Sequence, residues 1–192
     1  MRKFFRVAVF ILLIYSCNSS LLPKEQELFA LQLNTVDDKT FNLSEIKHNS
    51  ASAFIFLSPE CPLSQKYSLS IKNIYTRYLD KKIAVYLVFP GKLYNKNEIN
   101  FFLSEYNLQF VSIEDEDKKL TSCLGAAITP EAFLIDSAGR ILYKGAIDNW
   151  FIDIGQKREV ITAHYLDDAI QSFLSGRPVK ISQTKAAGCI IE

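Results

Sequence analysis

The residue best suited to covalent chemistry is Cys61, which begins the run Cys61-Pro62-Leu63-Ser64 shortly after an apolar segment of strand length. Pro62 favours the first turn of a helix, so Cys61 is expected to cap a helix that follows a strand. A thiol attacks as its thiolate, and a helix start lowers a cysteine pKa from about 8.5 toward about 3.5–7.5. The pattern therefore predicts a reactive thiolate at Cys61, and the alternative is a buried, inert cysteine.

Two other cysteines are candidates to resolve a disulfide formed at Cys61. Cys189 follows a glycine near the end of a tail, residues 177–192, and about a dozen residues at about 3.3 Å each are long enough to cross a small domain. Cys123 falls on a short apolar helix, where a packed core cysteine is expected. The alternatives are a Cys123–Cys189 bridge and a thiol on another molecule.

The composition disfavours several classes of function. The chain has 192 residues, is 48% hydrophobic and carries a formal charge of +1, which is typical of one globular domain. Lysine and arginine are spread along the chain, so no basic face for nucleic acid is expected. His48 and His164 are isolated and no Cys-x-x-Cys pair occurs, so the sequence predicts neither a metal site nor a bound cofactor.

The N-terminal segment, residues 1–16, has the pattern of a secretory signal peptide, with basic residues before an apolar run at residues 7–14. Its end, Ile14-Tyr15-Ser16-Cys17, resembles the bacterial lipobox, which implies lipidation of Cys17 and a membrane anchor. Residues 17–27 then form a polar tether. An uncleaved anchor helix is the alternative, although the apolar run is far shorter than the ~20 residues that span a bilayer. Both interpretations place the domain outside the cytoplasm, in a compartment that permits disulfides.

Hydrophobic periodicity predicts that strands and helices alternate along the rest of the chain. The predicted strands lie at residues 28–33, 41–43, 51–57, 83–89, 110–113, 132–136 and 141–144. The predicted helices lie at residues 62–79, 97–106, 117–124 and 162–174. The first two strands, joined by a turn, are expected to form an N-terminal β-hairpin.

Residues 58–64 and 129–136 give the chain a resemblance to the thioredoxin-like redoxin superfamily. It is similar to exported redoxin-domain proteins of the alkyl hydroperoxide reductase and thiol-specific antioxidant group, some of which have a tail like residues 184–191. The resemblance implies an α/β thioredoxin fold over residues 28–176, in which helices flank a central mixed β-sheet extended by the N-terminal β-hairpin. It also implies that Cys61 is the attacking thiol.

The resemblance further implies that Pro130 is a cis-proline beside Cys61, the alternative being a trans turn proline. The backbone of Thr129 would offer strand-like hydrogen bonds to a partner, and Ser58 and Pro62 would flank that partner.

Two departures from the family pattern bear on the reaction. Ser64 stands where thioredoxin-type reductases have a second cysteine, and a hydroxyl can hydrogen-bond the Cys61 thiolate but cannot complete a two-electron exchange. Compared with peroxiredoxins, Phe54 stands where the proline of the active-site loop belongs, and Pro130 lies roughly where the arginine would be. The peroxidase site is therefore incomplete.

The sequence thus predicts a cell-envelope thiol–disulfide oxidoreductase that uses Cys61, with Cys189 or an external thiol as the resolving group. The expected partners are a disulfide-bearing envelope protein or an external thiol reductant, together with the membrane through the lipid anchor. The alternatives are a peroxiredoxin-like thiol peroxidase and a non-catalytic binding module of an envelope complex.

Overall fold

A seven-stranded mixed sheet forms the centre of the computed structural model, which describes residues 24–192. The strands are β1 (Gln32–Thr35), β2 (Thr40–Asn42), β3 (Ala51–Phe56), β4 (Ile83–Pro90), β5 (Val111–Asp115), β6 (Ile128–Thr129), β7 (Glu131–Asp136), β8 (Ile141–Gly145), β9 (Phe151–Asp153), β10 (Gln156–Lys157) and β11 (Cys189–Ile190). The helices are α1 (Lys24–Ala30), α2 (Pro62–Tyr78), α3 (Lys96–Glu105), α4 (Lys119–Leu124) and α5 (Tyr165–Leu174), with a 3₁₀ helix at Leu43–His48. The predicted signal peptide and Cys17 lie outside the described residues.

The sheet has the strand order β2-β1-β5-β4-β3-β7-β8, so β3 is an interior strand between β4 and β7. β3 pairs in parallel with β4 and antiparallel with β7, and all six of its residues are buried. Side chains of a strand alternate between faces, so Ala53 and Ile55 enter one core cluster while Phe54 and Phe56 enter the other. The near-continuous apolar run of β3 follows from this double coverage.

Helices cover both faces of the sheet. Helices α2, α3 and α5 pack on the face that carries the first cluster, and α1, α4 and the 3₁₀ helix pack on the face that carries the second. This arrangement confirms the predicted α/β thioredoxin fold. The part of the chain from residue 24 onward has no helix with the length and hydropathy needed to cross a bilayer.

The N-terminal region differs in part from the prediction. The β1–β2 hairpin is present and extends the sheet beyond β5, but residues 28–30 belong to helix α1 and not to a strand. Leu28 and Leu31 are three residues apart, a spacing that suits a helical turn as well as a strand, and burial of Leu28 in the second cluster favours the helix. The same helix includes residues 24–27, the end of the segment predicted as a tether.

Helix α2 positions the predicted thiol. Cys61 is its N-cap residue, with extended backbone angles, and Pro62 is in the first turn. The buried side of the helix includes Leu63, Tyr67 and Ile71, which follow one another at four-residue spacing against the first cluster. Because β3 ends at Phe56, the chain needs only a short loop to bring Cys61 to the carboxyl end of this buried strand.

Candidate active site

Cys61 lies beside the loop that contains Pro130. The Thr129–Pro130 peptide bond is cis, which confirms the expectation for this proline. The Cys61 thiol donates a hydrogen bond to the backbone carbonyl of Thr129 at 3.0 Å, and the side chain of Cys61 is almost fully buried. The structure therefore brings together three of the residues that the sequence assigned to the site.

Cys189 reaches the same point from the C-terminal tail. Strand β11 pairs antiparallel with β6, so that Cys189 is opposite Thr129 and Ile190 is opposite Ile128. The Cys189 thiol donates a hydrogen bond to Sγ of Cys61, and the two sulfur atoms are 2.8 Å apart. Since a disulfide bond is about 2.0 Å long, a movement of about 1 Å suffices to join these residues.

Cys123 is not part of this site. Its side chain is buried in the second core cluster, whereas Cys61 belongs to the first cluster, on the opposite face of the sheet. The predicted short helix is present as α4, and it packs this cysteine into the core. The structure therefore brings Cys189, and not Cys123, next to Cys61.

The surroundings of the two thiols shift their pKa values in opposite directions. Burial opposes ionisation of Cys61, but hydrogen bonds from the Cys189 side chain and from the backbone of Ser64, Cys189 and Leu63 outweigh it and lower the pKa of Cys61. Burial, followed by the hydrogen bond to Cys61 and its charge, raises the pKa of Cys189. When one of the two thiols loses its proton, these opposite shifts favour the negative charge on Cys61 and the proton on Cys189.

Ser64 has a different partner from the one expected. Its hydroxyl is fully buried and accepts a hydrogen bond from the backbone N–H of Ser58 at 3.2 Å. It therefore ties the loop before Cys61 to helix α2, and only its backbone N–H contributes to the stabilisation of the thiolate. The hydroxyl of Ser58 donates to the hydroxyl of Tyr94 at 3.1 Å, which places at the site a tyrosine that the sequence did not single out.

A cavity lies beside the two thiols. It has a volume of about 320 Å³, and Ser58, Glu60 and Tyr94 contribute to its lining. Pro62 is exposed at the start of α2. Within residues 24–192, no group of three or more His, Cys, Asp or Glu side chains is arranged to hold a metal ion.

Two glycines, one in the tail and one outside it, allow the tail to pack closely against the rest of the domain. Thr184 packs against Gly145, where an added Cβ would lie 2.3 Å from the carbonyl oxygen of Thr184. The Thr184 hydroxyl accepts a hydrogen bond from the N–H of Ala146 and lies 2.6 Å from the hydroxyl of Tyr143. At Gly188, an added Cβ would lie 2.1 Å from the carbonyl oxygen of Thr129, so only glycine fits there.

These tail-binding residues were missed by the sequence reasoning, apart from the observation that a glycine precedes Cys189. No local periodicity marks Gly145 or Thr184 as partners, because these two residues are 39 positions apart in the chain. The backbone of Lys144 likewise pairs with the distant residues 182–184. These contacts between the tail and the rest of the domain together hold Cys189 next to Cys61.

The shifted pKa of Cys61 has a measurable consequence. We expect the rate of iodoacetamide alkylation at Cys61, measured by peptide mass mapping, to reach half its maximum at a pH below the ordinary pKa of a cysteine. Replacing Cys189 with alanine removes a hydrogen-bond donor to the thiolate and should move that midpoint to higher pH. A midpoint that does not change in Cys189→Ala would contradict the role assigned to this hydrogen bond.

Sequence comparison identifies the family to which this site belongs. The Redoxin family model matches residues 21–150, which is more than half of the chain. The chain belongs to the Redoxin family. The matched part of this redoxin includes Cys61 and the cis-proline loop but ends before the tail that carries Cys189. A comparison with curated proteins found no match.

Solved structures show the same fold. A hypothetical protein from Sinorhizobium meliloti 1021 is 23% identical, with a TM-score of 0.75 over 84% of this chain and 89% of its own. An uncharacterized conserved protein from Geobacillus kaustophilus is 21% identical, with a TM-score of 0.74 over 85% and 89%. A secreted disulfide oxidoreductase from Mycobacterium tuberculosis is 14% identical, with a TM-score of 0.57 over 78% and 98%.

Proposed function

We propose that this redoxin is a thiol–disulfide oxidoreductase of the cell envelope in which Cys61 attacks and Cys189 resolves. The observation that carries the proposal is the 2.8 Å separation of the two sulfur atoms, held by the pairing of β11 with β6. The lowered pKa of Cys61 supports its role as the nucleophile, because the thiolate is the attacking species.

The reaction proceeds in two exchanges. The Cys61 thiolate attacks one sulfur of a partner disulfide, forming a mixed disulfide and releasing the other partner sulfur as a thiolate. Cys189 then attacks Sγ of Cys61, forming the Cys61–Cys189 disulfide and releasing the second partner sulfur. The partner gains two electrons and the two protons that the thiols of this chain give up. An external thiol reductant restores the dithiol by the same steps.

The location in the cell envelope and the anchor rest on the sequence. Residues 1–16 have the pattern of an export signal, and Cys17 follows as the lipidated residue. An oxidising compartment suits a protein whose chemistry is the exchange of disulfides. The partner in this proposal is a disulfide-bearing envelope protein, and the membrane is the place of attachment and not a substrate.

Disulfide mapping tests this function. We expect the reduced full-length protein, mixed with oxidised glutathione, to form an intramolecular disulfide between Cys61 and Cys189 that does not involve Cys123. Mass spectrometry of peptides prepared without reductant detects the bond. A Cys123–Cys189 bridge would contradict the proposal. Oxidation by hydrogen peroxide that is much faster than oxidation by the disulfide would favour the thiol peroxidase instead.

A further inference from the structure

The tail occupies the strand-binding edge of the cis-proline loop in one defined register. Cys189 is opposite Thr129, and Ile190 is opposite Ile128. The backbone N–H of Ile191 continues the pairing by donating to the carbonyl of Ala127 at 2.9 Å. An extended segment is therefore bound here mainly by its backbone, in the manner of a strand added to a sheet edge.

Each position of the bound segment meets a different restriction. The residue before the cysteine has no room for a side chain, because a Cβ on Gly188 would lie 2.1 Å from the carbonyl oxygen of Thr129. The residue after the cysteine is unrestricted, since Ile190 is 76% exposed. The next residue is partly buried, because Ile191 packs against the second core cluster. A segment bound at this edge therefore needs glycine before its cysteine and an apolar residue two positions after it, whereas any residue fits directly after the cysteine.

A partner cysteine that reacts with Cys61 needs the same edge. Cys61 is almost fully buried while β11 lies beside it, so we expect a partner sulfur to approach from the side where β11 now lies. The tail and a partner segment therefore exclude each other. Thr184 is bound at Gly145 by separate contacts, including the hydrogen bond from the N–H of Ala146. Only the tail residues after Thr184 therefore need to leave the edge.

The resemblance already implies that a partner binds along Thr129. We propose that this edge selects partner cysteines in extended Gly-Cys-x-apolar segments, and that the tail occupies it when no partner is bound. This inference rests on the proposed function and specifies its partner. The Cys61 thiolate attacks the sulfur of the bound partner cysteine, and the sulfur bonded to that cysteine leaves with the electron pair. When the partner segment detaches from the edge but is still bonded to Cys61, the tail returns and Cys189 attacks Sγ of Cys61, forming the Cys61–Cys189 bond and releasing the partner sulfur as a thiolate.

Activated peptides test the selectivity. The probe is Ala-Ala-Gly-Cys-Ile-Ile-Glu, the sequence of residues 186–192, with its cysteine in a mixed disulfide with nitrothiobenzoate. Attack by Cys61 joins the peptide to the protein and releases the coloured nitrothiobenzoate thiolate. The full-length Cys189→Ser protein is used so that the reaction stops at the mixed disulfide between Cys61 and the peptide. Peptide mapping verifies that Cys61 is the residue modified.

Three matched peptides give separate expectations. With alanine in place of glycine, the rate should fall roughly tenfold or more, because the added methyl group collides with the Thr129 carbonyl. With serine directly after the cysteine, the rate should stay within about twofold, as expected for an exposed position. With serine at the second position after the cysteine, the rate should fall about fivefold because apolar burial is lost.

The same assay tests whether the tail occupies the partner-binding edge when no partner is bound. Adding Gly188→Ala to Cys189→Ser should expel the tail from the edge and raise the rate of the glycine peptide by about threefold or more. Equal rates for the glycine and alanine peptides would overturn the selectivity while leaving disulfide exchange intact. An unchanged rate in the double variant would overturn the role of the tail. Failure of Cys61 to react with any of the peptides would overturn the proposed function as well.

Discussion

The Cys61→Ser variant is expected to lose disulfide exchange by at least about 1,000-fold, because a serine hydroxyl is not ionised near neutral pH and cannot form a disulfide. Cys61 caps helix α2 and contacts the cis-proline loop. The measurement is the second-order rate at which the reduced protein opens a peptide disulfide, followed by the release of peptide thiol.

Cys123→Ala is the matched control for this loss. Cys123 is buried in the second core cluster, so its replacement leaves the reacting pair in place and should keep the exchange rate within about twofold. Thermal unfolding of both variants verifies that each is folded. Retention of more than a tenth of the rate in Cys61→Ser, or a loss in Cys123→Ala as large as that in Cys61→Ser, would contradict the assignment of the nucleophile.

The Cys189→Ser variant is expected to attack a partner disulfide but not to complete the exchange. The mixed disulfide at Cys61 should accumulate and be released at least about 100-fold more slowly than in the native chain, because the resolving thiol is held next to Cys61 and an external thiol is not. Electrophoresis without reductant detects the trapped complex, and dithiothreitol should release it.

Gly188→Ala separates the presence of the resolving thiol from its position. This variant keeps Cys189 but has a Cβ directed at the Thr129 carbonyl, so release should fall between that of the native chain and that of Cys189→Ser. If Cys189→Ser released its partner at the native rate, resolution by this cysteine would be wrong. An external thiol would then be the resolving group.

Sequence patterns predicted most of the fold because their causes are local. Apolar runs of strand length marked β3 and β4, and four-residue spacing marked the buried side of α2. Pro62 marked the start of that helix, and so Cys61 as its cap. The error at residues 28–30 arose where the same spacing suits two local structures, and packing of Leu28 into the core chose the helix.

The sequence by itself determined that Cys61 stands at a helix start and that no cysteine one turn later can resolve it, since both follow from neighbouring residues. Only the tertiary structure decided which distant thiol completes the pair. Cys61 and Cys189 are 128 positions apart and meet through backbone pairing of a two-residue strand, which has no periodic signature. The sheet itself separates Cys123 from them, because side chains on opposite faces of a continuous sheet do not meet.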